Sequence, residues 1–387
     1  MNFELSGEQR EIQALARDFA RAEVEPHAAD WYREKRFPVE VVAKLADLGL
    51  LAVCIPEELG GAGADFISYV LVLEELARAD AGLGATVAVH TSAATLPLLE
   101  FGSEEQRRLF VPPLACGDSI GAFALTEPGA GSDAGSILTR AEHLASGGWQ
   151  VTGSKQWITN GGYAGTFIVF ARTGSIESRA RGISAFVLDR EHVTVTREEE
   201  KMGLHSSSTA DLAIDAVIDA GRLLGEVDRG FPIAMAALDG GRIGIAAQAI
   251  GIAQAAYEVA LSYARDRTAF GRKISEFQAI QQKLANMSTD IDAARLLMLR
   301  AAWLKDNGRP VTEAGAKAKL YASELAQRVT GEAIQVLGGY GYTKAFPVER
   351  YYRDAKVTEI YEGTSEIQRI VIARSILADQ VGTPASS

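Results

Sequence analysis

The feature that most restricts how this 387-residue chain can fold is a double change in its hydrophobic period. Up to about Gly117 apolar residues recur at three-and-four spacing, as in Ile12, Leu15, Ala16 and Phe19 behind a Ser6/Gln9 capping box, which is the signature of amphipathic helices. Further helices are read over 39–48 and from Phe66 through Leu76, with a Pro- and Gly-rich loop at 55–63 between them and a Ser103 cap before Pro112-Pro113. From Ile120 the pattern becomes short β-branched and aromatic runs, at 120–126, 149–152, 166–171, 183–188 and 210–214, separated by Gly, Asn and Ser turns. After Gly230, with Pro232 read as the first helical residue, the helical period returns, most clearly at Ile280, Leu284, Met287, Ile291, Ala294, Met298 and Ala301. The expected architecture is a multidomain α+β protein. It has an all-α domain over 1–117, an antiparallel β-barrel or sandwich over 118–229, a four-helix bundle over 230–380 and a loose tail at 381–387.

Bulk composition narrows the partners. A formal net charge of −11 argues against nucleic acid, which requires an excess of Lys and Arg on some face. Cys54 and Cys116 lack a CxxC or His neighbour, which points to a reducing compartment, the cytoplasm, and to no metal site. The first residues lack the basic and apolar regions of a signal peptide, and no apolar run reaches the roughly 18 residues of a membrane span.

Five stretches carry candidate chemistry. Ile360-Tyr361-Glu362-Gly363-Thr364-Ser365-Glu366 reads as a turn entering a helix, capped by Thr364 or Ser365 with a Ser365/Gln368 capping box. A carboxylate on such a turn, Glu362, can act as a base beside free N–H groups, or simply complement the helix dipole. Leu125-Thr126-Glu127-Pro128-Gly129-Ala130-Gly131-Ser132-Asp133-Ala134 contains a G-x-G-x-x-A match, but a strand rather than a helix follows, so a Rossmann site is refused while Thr126 and Ser132 remain able to hold a polar ligand. Trp157, Ile158 and Thr159 place an indole and a hydroxyl on one side of an extended segment, suited either to stacking on a planar ring or to the core. Arg265, Arg267 and Arg272 cluster at a helix end, for phosphate oxygens or for solvent. Gln335-Val336-Leu337-Gly338-Gly339 closes a helix with more glycine than a cap needs.

In order and content these blocks resemble the acyl-CoA dehydrogenase family: Thr-Glu-Pro-Gly-Ala-Gly-Ser-Asp at 126–133, Trp-Ile-Thr-Asn at 157–160, Arg-Thr-Ala-Phe-Gly at 267–271, Gln-Val-Leu-Gly-Gly at 335–339 and Tyr-Glu-Gly-Thr-Ser-Glu at 361–366. The resemblance covers residues from about Ser6 to Asp379. It implies FAD, an acyl-CoA thioester substrate oxidised to the trans-2-enoyl-CoA, an electron-transferring flavoprotein as acceptor and a homotetramer built as a dimer of dimers. By position it makes Glu362 the base that takes the α-proton while the β-hydrogen leaves as hydride to flavin N5. Leu125, Thr126, Gly131, Ser132, Trp157, Ile158 and Thr159 would hold the flavin side of FAD. Arg267, Phe270, Gln278, Gln335, Val336, Gly338 and Gly339 would hold its adenine and pyrophosphate end, with Arg267 and Gln278 reaching in from a neighbouring subunit. Thr364 and Glu366 would complete the cofactor site, and Ser132, Asp239, Arg242 and Gly363 would contact substrate. In family branches whose base lies on the earlier helix it stands at the position of Gly241, which cannot serve, so the resemblance is to the short-, medium- or short-branched-chain members. An oxidase on the same scaffold, or a non-catalytic or nucleic-acid-binding member, are the alternatives.

Overall fold

The computed structural model describes residues 4–379, so the tail expected at 381–387 lies outside the described residues. The first part is helical: α1 (Gly7–Phe19), α2 (Ala28–Glu34), α3 (Val39–Asp47), α4 (Phe66–Ala79), α5 (Ala81–Ala88), α6 (Leu96–Phe101) and α7 (Glu104–Ala115). The expected Ser6/Gln9 capping box forms, and the expected Ser103 cap is itself a capping box with Gln106. Asp65 and Asp80 accept the N–H groups of Ser68 and Leu83 at the starts of α4 and α5. Pro112 and Pro113 do not end the region; they lie inside α7, which runs on to Ala115.

A π-helical segment, Val89–Thr95, joins α5 to α6 into one continuous stretch. Contrary to the sequence reading, Ala81–Phe101 and Gly230–Asp266 are each long and apolar enough to cross a membrane, yet their most apolar windows are 94% and 78% buried inside the protein. Both are core helices of this fold by that burial.

The middle part is an eight-stranded sheet of β1 (Gly121–Ala124), β2 (Arg140–His143), β3 (Trp149–Thr159), β4 (Thr166–Arg172), β5 (Ile183–Asp189), β6 (Val193–Glu198), β7 (Thr209–Ile218) and β8 (Leu223–Leu224). Its order is β6-β7-β3-β2-β4-β5-β8, with β1 also beside β4. The sheet is antiparallel except where β1 and β2 meet β4 in parallel, Gly121 opposite Thr166 and Arg140 opposite Arg172. The loop between β1 and β2 does not reverse the chain, so these two four-residue strands share one edge of β4. All of β4 is buried because its two faces serve two cores. Phe167, Val169 and Ala171 join Trp149, Phe186 and Leu212 inside the sheet, whereas Ile168 and Phe170 join the helical core.

The last part comprises α8 (Gly230–Asp266), a hairpin of β9 (Thr268–Ala269) and β10 (Arg272–Lys273), then α9 (Gln278–Asp306), α10 (Thr312–Leu337), α11 (Val348–Lys356) and α12 (Ser365–Asp379). Pro232 is the third residue of α8 and not the first, a position in the opening turn where its missing N–H has no intrahelical partner to lose. The 37-residue α8 is the central element, packing on α4, α9 and α10. It approaches α4 so closely at Gly251 that a Cβ there would lie 2.9 Å from the Arg78 nitrogen.

Candidate active site

Glu362 stands on the short link between α11 and α12 with a left-handed backbone, φ 55°, followed by Gly363 at φ 90°. A non-glycine residue in that conformation costs on the order of 1–3 kcal/mol and persists only if its surroundings impose it. Here they do. Gln368 donates from Nε2 to the Glu362 and Gly363 carbonyls at 3.1 and 2.8 Å, and Lys319 Nζ donates to the Gly363 carbonyl at 2.8 Å. Tyr361 donates its hydroxyl to Gln248 Oε1 on α8. The capping box expected from Ser365 and Gln368 does not form. Thr364 is the cap, its Oγ1 3.4 Å from the Ile367 nitrogen, because the left-handed turn aims two carbonyls at Gln368 and draws its side chain there instead.

The Glu362 carboxyl rests on the face of α8 opened by Gly241. A Cβ on that glycine would lie 2.8 Å from the carboxyl carbon. Its Oε2 is buried and has no hydrogen-bond partner among the described residues. Burial pushes the carboxyl up to about pH 7, against the pull of Arg242 and Lys319. Arg242 is buried beside it, paired through one guanidinium nitrogen with Asp239 while its Nε lacks a partner among the described residues. Thr312 donates its hydroxyl to the other Asp239 oxygen. The arrangement is a carboxylic acid poised to titrate near neutrality, with one unsatisfied oxygen and two buried cations around it. That is what a general base requires.

In the sheet, Leu125 and Thr126 lie beside the strand that carries Trp157, Ile158 and Thr159. The Gln156 N–H donates to the Thr126 carbonyl at 2.9 Å, and the fully buried Lys155 donates to the Leu125 carbonyl at 3.1 Å and to Glu127 Oε1 at 2.8 Å. Glu127 also accepts the backbone N–H groups of Leu138 and Thr139, at 2.5 and 3.0 Å. A register shift in the β3/β7 pairing between Lys155 and Ile158, with Trp157 at φ 59°, turns the indole outward, where it is 57% exposed. Thr159 is half-buried, and Gly131 and Ser132 are exposed on the loop after β1. An outward indole on a strand whose neighbouring loop carries Thr126 suits a flat heteroaromatic ring.

Arg267, Phe270, Gln278, Gln335, Gly338 and Gly339 form a separate group at the far end of the bundle. Phe270, at φ 52° in the β9/β10 turn, is 96% exposed. Arg267 lies over the Tyr340 ring at 5.9 Å, which brings the hairpin to the end of α10, where a Cβ on Gly338 or Gly339 would meet nothing within 4 Å. Val336 is buried in the helical core. Gly241 and Asp266 are 25 residues apart on α8, about 37 Å at 1.5 Å per residue. This group therefore does not join Glu362 within one chain, whereas Thr364 and Glu366, at the start of α12, do accompany it.

Two buried lysines escaped the sequence reading. Lys319 falls on the stripe Gly315, Lys319, Ala322, Ser323 and Ala326 of α10, all buried, so a charged residue in an apolar phase was the available signal. Lys155 lies among polar neighbours on β3, and only the pairing with Glu127 reveals it.

Family models described as the N-terminal, middle and C-terminal domains of acyl-CoA dehydrogenase match residues 6–118, 122–217 and 228–377. The mitochondrial short-chain specific acyl-CoA dehydrogenase of Bos taurus is 49% identical, over 95% of this chain and 89% of that protein. The butyryl-CoA dehydrogenase of Megasphaera elsdenii superposes with a TM-score of 0.96 at 43% identity, covering 97% of this chain and 100% of that one. A chain from a structure described as the electron transferring flavoprotein of Acidaminococcus fermentans superposes with a TM-score of 0.95 at 44% identity, covering 97% and 100%. Three successive domain matches spanning the helical, sheet and bundle parts, together with near-complete relatives at this identity, establish that the chain belongs to the acyl-CoA dehydrogenase family.

Proposed function

We propose that this protein is an FAD-dependent dehydrogenase of short acyl-CoA thioesters that yields the trans-2-enoyl-CoA and delivers its electrons to an electron-transferring flavoprotein. One observation carries the reading: the Glu362 carboxyl, with an unpartnered buried oxygen, is fixed on a clamped turn between two buried cations. Glu362 takes the α-proton of the thioester, a step in which a positioned base typically contributes about 10² to 10⁴ in rate. The Arg242 and Lys319 charges favour the ionised base.

FAD, when bound, supplies the two-electron acceptor for the β-hydrogen. The residues present fit it. Leu125, Thr126, Trp157, Ile158 and Thr159 would hold its ring through an exposed indole and threonine hydroxyls, and Thr364 and Glu366 would hold it from the start of α12. The open space at Gly131, Gly338 and Gly339 admits a ligand's approach to the backbone. Ser132, Asp239, Arg242 and Gly363 are assigned to substrate. Arg267, Phe270, Gln278, Gln335 and Val336 are assigned to the adenine and pyrophosphate end of a neighbour's FAD, since roughly 37 Å of α8 separates them from their own Glu362. That assignment calls for a homotetramer assembled as a dimer of dimers.

The short-chain substrate is supported by the cattle and Megasphaera relatives, and the flavoprotein acceptor by the Acidaminococcus match. Domain limits at 1–117, 118–229 and 230–380 are assigned, the two inner ones supported by the element changes between Ala115 and Gly121 and between Leu224 and Gly230. Two free thiols support a reducing location, the cytoplasm.

The test is product analysis of the FAD-loaded protein with butyryl-CoA, run once with an electron-transferring flavoprotein and once in air alone. Crotonyl-CoA formed in step with acceptor reduction supports the proposal. Peroxide formed at the same rate without the acceptor would convert it into an oxidase, and no enoyl product with any acyl-CoA would refute it.

A further inference from the structure

Lys319 is a fully buried lysine on α10 that the reaction above uses only as a charge. Among the described residues it forms no ion pair. Its ammonium donates instead to the carbonyl of Gly363, the residue directly after the base. Backbone carbonyls satisfy hydrogen bonds without cancelling charge, so a full positive charge is left in a poorly solvated region beside Glu362. Arg242, the other cation there, is already paired with Asp239. Burial lowers the Lys319 ammonium to about 8, and Glu362 is the largest influence opposing that fall.

The groups around the base come from four directions. Arg242, held by Asp239, faces it from α8, Lys319 from α10, Tyr69 from α4, and Tyr361 from its own turn. Glu359 and Glu366 also act on Lys319, more weakly than Glu362 does. The two tyrosines are neutral, burial holding both above their usual range. Lys319 is therefore the unpaired cation of the set.

We propose that Lys319 is the positioning residue for the base: anchored on the Gly363 carbonyl, it holds the left-handed Glu362–Gly363 turn and sets near the carboxylate a positive charge that has no ion-pair partner, stabilising its proton-accepting form. This rests on the assignment of Glu362 as the base. Two consequences separate charge from scaffold. Lys319→Gln keeps a donor for the carbonyl and loses the charge, whereas Lys319→Arg keeps the charge and changes the donor.

The experiment follows the rate of flavin bleaching by butyryl-CoA from acid to alkaline pH in FAD-loaded wild type, Lys319→Gln, Lys319→Met and Lys319→Arg. Bleaching by wild type tests the underlying function; failure there sinks that function and not the lysine alone. With wild type active, the acid limb of Lys319→Gln and Lys319→Met should move up by about one pH unit or more, as removal of an opposite charge at this range predicts. The rate should fall about tenfold near neutrality and recover as pH rises, with Lys319→Arg restoring the limb. An unmoved acid limb in Lys319→Gln overturns the proposal. So does an acid limb in Lys319→Arg displaced as far as in an uncharged variant, a readout that decides the matter even where the uncharged variants lose FAD or the folded state, since a retained charge would then not govern the base.

Discussion

The carboxyl group of Glu362 occupies the space that a side chain on Gly241 would fill: a Cβ there would lie 2.8 Å from its Cδ and 3.1 Å from Oε1. The base on the α11–α12 link and the bare helix position opposite are thus one device, since any side chain at 241 evicts the carboxylate. Gly241→Ala should bind FAD normally, because residue 241 is not among the flavin-facing groups, and lose about 10²-fold in kcat, the cost of misplacing a reacting group by about an ångström. Flavin absorbance of the purified variant and its turnover of butyryl-CoA check this; a fully active Gly241→Ala contradicts it.

Stability carries the mark of the buried base. The Glu362 carboxyl ionises at about 7 in the fold and near 4.5 when unfolded. Between those values the native state holds the extra proton, so its contribution is fully present below the unfolded value and is lost as pH rises through about 7. Glu362→Gln does not titrate, so its melting temperature relative to wild type should climb from pH 4.5 and level off above 7. The gain there is on the order of 3 kcal/mol at most. A difference that is flat across that window would mean the carboxyl is not desolvated.

Glu127 and Lys155 brace the loop that carries Thr126. Burial would raise the Glu127 carboxyl, yet Lys155 and the two backbone donors hold it below its usual range. Burial lowers Lys155 to about 8 despite Glu127. Lys155→Met strands a buried carboxylate that keeps two N–H partners, a loss of about 3–5 kcal/mol. Glu127→Leu strands an ammonium and two N–H groups, each unmade bond adding roughly 1–3 kcal/mol. Thermal unfolding should rank Glu127→Leu below Lys155→Met, with FAD occupancy falling in both. The opposite order would show that the carboxylate is not the hub.

If Arg267 serves a neighbour's cofactor, two inactive variants should rescue each other. Glu362→Gln chains supply an intact Arg267, and Arg267→Ala chains supply an intact Glu362. Tetramers reassembled from an equal mixture should regain turnover that neither variant has alone. Activity that stays at the level of the separate variants would place both residues at one chain's own site.

The three-part architecture was legible because two of its parts have a clear period and the third has short apolar runs between glycines. Ala81–Phe101 was missed for the opposite reason: α5 is buried on every side, so Ala81, Leu83, Ala85 and Val87 alternate with Gly82 and Gly84 without a polar face to mark the turn. Trp149–Thr159 was read as two pieces, a strand run at 149–152 and an extended segment at 157–159, and not as one strand, since its outer face is polar between them. At the site, the sequence named Glu362 and excluded Gly241 as a base, but it does not reveal that the second residue makes room for the first. That relation joins positions 121 residues apart, and only packing creates it.

The central claim is that Glu362 removes the α-proton, and its most direct test is anaerobic mixing of butyryl-CoA with FAD-loaded Glu362→Gln. The account predicts a folded, fully flavinated protein whose flavin is not bleached on the timescale of wild-type turnover. Bleaching at a rate near that of wild type would contradict it.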